Sequence, residues 1–141
     1  MLYKCPDYTA YEDYLAYHRA RLTLVPAMTR EENGFSLTSR ELEAAIVRQG
    51  VTAYVFSNPC NPTGDVVIGD ELGRHVALVR EHRCLLGCDE FYSHFMYDKE
   101  LSYKDVYECA RLAATPNGMA VPVPCIVMPF GVFLAVNHIP A

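Results

Sequence analysis

Apolar and polar positions along the chain switch repeatedly between a helical and an extended period. Over residues 8–20, Tyr8, Tyr11, Leu15 and His18 fall on one helical face, which Tyr14 and Tyr17 extend. Asp7 stands where an N-cap would. Residues 21–26 alternate and end on Pro26, which predicts a strand. A polar loop around Asn33-Gly34 follows over 27–37. Thr38-Ser39-Arg40-Glu41 has the spacing of a capping box, and a helix is expected through Leu42, Ala45 and Ile46 until Gly50 stops it. Residues 51–56 are β-rich and lead into Ser57. A further helix is expected over 70–82, with Leu72, Val76 and Val79 inward. Cys84-Leu85-Leu86-Gly87-Cys88 then reads as a short buried strand with Cys84 and Cys88 on one side. This alternation predicts a three-layer α/β/α fold with a mainly parallel sheet.

Beyond Tyr97 the pattern weakens. A helix is expected around 105–112 and a turn at Thr115-Pro116-Asn117-Gly118. Residues 119–141 are apolar and proline-rich, without Asp, Glu, Lys or Arg. They do not read as the next unit of the same sheet. The expected division is a partial large domain over 1–104 and a divergent tail over 105–141.

Composition narrows the function classes. The chain has 141 residues, enough for one domain, and 51% of it is apolar. A net charge of −5 with no basic stripe argues against nucleic-acid binding. No signal peptide and no long uninterrupted apolar run are seen, so a soluble cytoplasmic setting without membrane contact is expected. The six cysteines form no C-x-x-C pair and are expected to be buried, reduced thiols. His75 and His82 recur at helical spacing and read as surface or interface residues rather than metal ligands.

Two segments carry the chemistry, each after an apolar run. In Ser57-Asn58-Pro59-Cys60-Asn61-Pro62-Thr63-Gly64, two Asn-Pro pairs restrict the backbone and hold Asn61 in a rigid turn, where X-Pro bonds can be cis. Its amide can donate to a phenolate or a carboxylate; an ordinary proline turn is the plainer alternative. In Cys88-Asp89-Glu90-Phe91-Tyr92-Ser93, an aspartate leaves a buried strand, which is costly unless it meets a cation. A pyridinium N–H is such a cation. A helix N-cap is the alternative for Asp89, and both roles are compatible.

These residues resemble the class I/II aminotransferases, the fold-type I pyridoxal phosphate enzymes. Residues 57–64 are similar to the family's Asn-Pro-x-Asn-Pro-Thr-Gly signature and 88–93 to its Asp-Glu-x-Tyr segment. Pro6-Asp7-Tyr8-Thr9-Ala10-Tyr11 resembles its Pro-x-aromatic-x-x-Tyr segment. The resemblance spans about residues 2–97. It implies pyridoxal 5'-phosphate as cofactor. Tyr8 would stack on the cofactor ring, Asn61 and Tyr92 would share its ring oxygen, and Asp89 would pair with its ring nitrogen. It also implies amino acid and 2-oxo acid substrates and a homodimer.

The family's chemistry also needs a Schiff-base lysine well beyond the Asp-x-x-Tyr segment. The lysines here are Lys4, Lys99 and Lys104. Lys4 precedes both motifs, and Lys99 and Lys104 follow Asp89 too closely and read as solvated surface residues. The glycine- and serine-rich phosphate turn and the carboxylate-clamping arginine are not found either. The chain thus resembles the middle of the large domain, with no catalytic residue assigned, and is expected to be inactive alone. The alternatives are a non-catalytic truncated homologue or dimer partner, a lyase or cyclase of the same fold, or an unrelated α/β binding module.

Overall fold

A computed structural model describes the protein at residues 1–17, 22–93, 95–96, 125–127 and 134–136. Strand β1 (Leu2–Cys5) opens the chain, followed by helix α1 (Ala10–Tyr17) and strand β2 (Val25–Met28). A single 3-10 turn (Glu31–Asn33) leads to α2 (Ser39–Gln49), β3 (Ala53–Ser57), α3 (Gly69–Glu81) and β4 (Leu85–Asp89). Strands β5 (Cys125–Val127) and β6 (Leu134–Val136) complete the described elements. The sheet order is β2-β1-β3-β4-β5-β6, parallel except for the β5–β6 pair.

This order contains a reversal. From β1 the chain winds outward to β2, then returns past β1 to β3 and continues to β4. Parallel crossovers are right-handed, so a change of winding direction moves the connecting helices to the opposite face. Side chains agree. Tyr3 reaches Glu12 of α1 on one face of the sheet. Leu2 and Lys4, one residue either side, turn into the other face and are fully buried. There Leu2, Tyr54, Phe56, Leu86 and Cys88 pack with Leu42 and Ile46 of α2 and Leu72, Val76 and Val79 of α3. The expected three layers are therefore present, and the switch point lies between the carboxyl ends of β1 and β3.

Local signals in the middle of the chain are realised. Thr38 and Glu41 form the reciprocal capping box, and Gly50 takes the left-handed conformation at φ 58° while its N–H reaches the Ile46 carbonyl. Cys60, Cys84 and Cys88 are buried free thiols, and Cys5 is half-buried.

Other expectations are corrected. Residues 2–5 were not foreseen as a strand, because a lysine at one of two core-facing positions hides the alternation. Lys4 is buried there only through its ion pair with Asp65, at 2.8 Å. The strand expected over 21–26 instead occupies Val25–Met28, because its register is set by β1. The N–H of Val25 donates to the Met1 carbonyl and that of Thr29 to the Cys5 carbonyl. Pro26 falls between them on the outward edge, where no N–H is required. Asp7 does not cap α1 but bonds Ser57 and the Tyr8 N–H. His75 is not a surface residue. It lies fully buried with edge-on contacts to Tyr54 and Phe56, so desolvation holds its imidazole below the usual histidine range. Nor is 119–141 wholly outside the sheet, since Cys125–Val127 runs parallel to β4. The helix expected over 105–112, the turn at 115–118, Lys99 and Lys104 lie outside the described residues.

Candidate cofactor site

Open α/β sheets bind ligands beyond the carboxyl ends of their strands, at the point where strand order reverses. Here that point gathers Asp7 and Tyr8 after β1, Ser57 and Asn61 after β3, and Asp89 and Tyr92 after β4. Tyr8, Ser57, Asn61, Asp89, Phe91 and Tyr92 line a cavity of about 140 Å³. All four cofactor residues expected from the resemblance are thus brought together, although Tyr8 and Tyr92 are 84 positions apart in sequence (92 − 8).

The Asn-Pro loop is built as a rigid clasp. Asn58 is buried, and its side chain both donates to the Val67 carbonyl at 2.8 Å and accepts the Val67 N–H at 2.9 Å. Inside the clasp the Cys60 N–H donates to the Asp65 carbonyl, and the Gly64 N–H to the Cys60 carbonyl. Gly64 has φ 74°, which a side chain would disfavour. Both Asn-Pro bonds and Cys5–Pro6 are cis. The two asparagines therefore divide the work: Asn58 closes the loop, and Asn61 projects from it. The Asn61 side-chain amide donates to the Tyr92 hydroxyl at 3.4 Å, a long contact that links the two loops across the cavity.

Asp89 ends β4, and a turn rather than a helix follows it, so the helix N-cap considered for it is not formed. Its Oδ1 accepts the Phe91 N–H at 3.1 Å, an Asx-type turn that shapes the segment carrying Tyr92. Its Oδ2 accepts the Tyr11 hydroxyl at 3.0 Å. Each carboxylate oxygen has two lone pairs, so capacity remains for a cation in the cavity. The Tyr11 phenol is pushed well above the ordinary tyrosine range, first by burial and then by the charges of Asp7 and Asp89. It therefore stays a donor.

Tyr11, Ser57 and Asp7 are site-building residues to which sequence reasoning gave no such role. Tyr11 was visible as the last position of a motif and on the helical face expected over 8–20, whereas α1 begins at Ala10, after Tyr8. Tyr8 and Tyr11 meet edge-to-face at 5.6 Å, so their spacing was the available signal. Asp7 had the composition of a cap and no signal of burial.

Comparison with known proteins agrees with this geometry. The family model for aminotransferase class I and II matches residues 1–127. An aspartate aminotransferase of Pyrococcus abyssi is 35% identical over 79 residues, covering 56% of this chain and 20% of that protein. A 1-aminocyclopropane-1-carboxylate synthase of Oryza sativa is 32% identical over 110 residues, covering 73% of this chain and 23% of that protein. Among solved structures, a Thermus thermophilus aspartate aminotransferase mutant superposes with a TM-score of 0.70 at 25% identity, over 89% of this chain and 31% of that one. The chain thus spans about a fifth to a third of the lengths it matches. The family match covers most of the chain, and the chain belongs to the class I and II aminotransferase family.

Proposed function

We propose that this chain forms the ring-holding part of a pyridoxal 5'-phosphate site in a transaminase that moves an amino group between an amino acid and a 2-oxo acid. The observation that carries the reading is the convergence of Asp89, Asn61, Tyr92 and Tyr8 on one cavity at the switch point. The donor set fits the cofactor's ring. A protonated pyridine needs an anion, and Asp89 supplies one with lone pairs to spare. A ring oxygen needs donors, and the Asn61 amide and Tyr92 hydroxyl share one side of the cavity. A flat aromatic face fits against Tyr8.

When bound, pyridoxal phosphate supplies an electron sink for the substrate's bonding electrons. The chain's own residues perform the supporting tasks. Asp89 keeps a proton on the ring nitrogen. Tyr11 orients the Asp89 carboxylate through its hydrogen bond. Asn61 and Tyr92 donate toward the ring oxygen. Lys4 takes no part: it lies on the opposite face of the sheet from Asp89, ion-paired to Asp65. A lysine from outside the described residues is required for the covalent step. We further propose a homodimer as the active form, and a reducing compartment such as the cytoplasm, in keeping with the buried free thiols. Among the described residues no helix is long and apolar enough to cross a membrane.

A second reading is a lyase or cyclase of the same fold, favoured by the similarity to the 1-aminocyclopropane-1-carboxylate synthase. Equilibrium dialysis of the chain against pyridoxal phosphate tests the shared core of both readings. Saturable binding that Asp89→Ala abolishes is expected; binding indifferent to Asp89 would overturn it.

A further inference from the structure

Asp7 is 6% exposed, yet its carboxylate faces the switch point. A buried carboxylate is costly unless donors surround it, and Asp7 has three. Oδ1 accepts the Tyr8 N–H at 2.7 Å and also the Ser57 hydroxyl; Oδ2 accepts the Ser57 N–H at 3.1 Å. The Ser57 hydroxyl has one proton, and it is given to Asp7. Its oxygen is thereby left to accept, and it takes the Asn61 N–H at 3.2 Å. One carboxylate thus holds the backbone of Tyr8 directly and that of Asn61 through a single serine.

Two other contacts bring the same segments together, the Cys60 thiol to the Pro6 carbonyl at 3.6 Å and Lys4 to Asp65, but neither bonds the backbone of Tyr8 or of Asn61. Tyr8 follows β1 and Asn61 lies inside the clasp after β3. The clasp's internal bonds, from Asn58 to Val67 and from Cys60 to Asp65, set its shape. We propose that Asp7 is a positioning residue that, through Ser57, sets Tyr8 and Asn61 at a fixed separation across the cofactor cavity. The inference rests on the reading of that cavity as a pyridoxal phosphate site.

The direction of each hydrogen bond makes this specific. Asp7→Ala removes both acceptor oxygens, so the Tyr8 N–H, the Ser57 N–H and the Ser57 hydroxyl all lose their partner. Alanine at 57 leaves Asp7 with its Tyr8 contact but cuts the path to Asn61. Threonine at 57 retains the hydroxyl and the path.

The test uses the full chain and two readouts. Amide hydrogen exchange is followed at Tyr8, Ser57 and Asn61, with amides of α2 and α3 as the global reference. Pyridoxal phosphate affinity is measured by equilibrium dialysis. Asp7→Ala is expected to speed exchange at all three amides without changing the reference amides, and to weaken affinity about tenfold. Ser57→Ala is expected to speed exchange at Asn61 while Tyr8 stays protected, and Ser57→Thr is expected to restore both readouts. Unchanged exchange at Tyr8 and Asn61 in Asp7→Ala would overturn the proposal, as would wild-type affinity in that variant. So would a loss of protection spread evenly into α2 and α3. Should wild type and Asp89→Ala bind alike, the cofactor reading fails instead. The exchange pattern alone then decides whether Asp7 sets the two backbones. If Asp7→Ala does not fold, the contrast between Ser57→Ala and Ser57→Thr at Asn61 decides it.

Discussion

The Tyr11 hydroxyl donates to Asp89 Oδ2 at 3.0 Å although the two residues stand 78 positions apart. One is on the first helix and the other at the end of the fourth strand. The bond fixes α1 over the carboxyl end of the sheet and holds the one carboxylate that lines the cavity among the described residues. Removing the hydroxyl as Tyr11→Phe leaves the half-buried Asp89 with one donor fewer. The expected cost is about 1 kcal/mol in stability, read from urea denaturation. Weaker pyridoxal phosphate binding is expected alongside it, and unchanged binding would separate the bond from cofactor retention.

The Lys4–Asp65 pair is predicted to behave differently when broken than when replaced. Both side chains are shielded from water, at 1% and 9% exposure. Lys4→Met alone strands a buried carboxylate and is expected to cost about 3–5 kcal/mol. Joining it with Asp65→Leu removes both charges and is expected to recover most of that loss. A double-mutant cycle by urea denaturation reads the coupling.

Glu90 gives a pH dependence with a defined sign. It is fully buried one residue after Asp89, and desolvation pushes its carboxyl from 4.5 up to about 8. The unfolded chain therefore releases this proton before the folded chain does. Stability from this group is complete below pH 4.5 and falls as pH rises toward about 8, then levels. Glu90→Gln is expected to flatten that slope. Urea midpoints of the two proteins should diverge across this window and converge in acid.

The Thr38–Glu41 box predicts the opposite slope. Hydrogen bonds from Thr38 hold the Glu41 carboxyl below the usual glutamate range. That contribution is present above the unfolded pKa and is lost as pH falls through the folded one. Thr38→Ala is expected to destabilise by about 1 kcal/mol near neutral pH, without altering cofactor binding. Thermal melts and dialysis of the same variant check both halves.

What could be read from sequence, and what could not, divides by the range of the interactions. The capping box at Thr38, the stop at Gly50, the core face of α3 and the two strand-ending motifs are written in contiguous residues. Each is satisfied within a turn or two of chain. Asn61, Asp89, Tyr92 and Tyr8 were identifiable as site residues because their motifs keep local spacing. The strand at Leu2–Cys5 and the register of Val25–Met28 depend on partners elsewhere in the chain, so their own composition misled. Buried His75 likewise looked like a polar residue on an exposed face, because the rings of Tyr54 and Phe56 that meet it stand on a different element.

Sequence by itself therefore determined the fold class, the family resemblance and which loops carry the chemistry. Tertiary structure alone decided the switch point, the Tyr11–Asp89 bond, the Asp7–Ser57–Asn61 path and the burial of Lys4. The physical reason is that a buried charge is tolerable only where distant donors meet it. Where those donors lie is set by strand order, which no single segment of the chain contains.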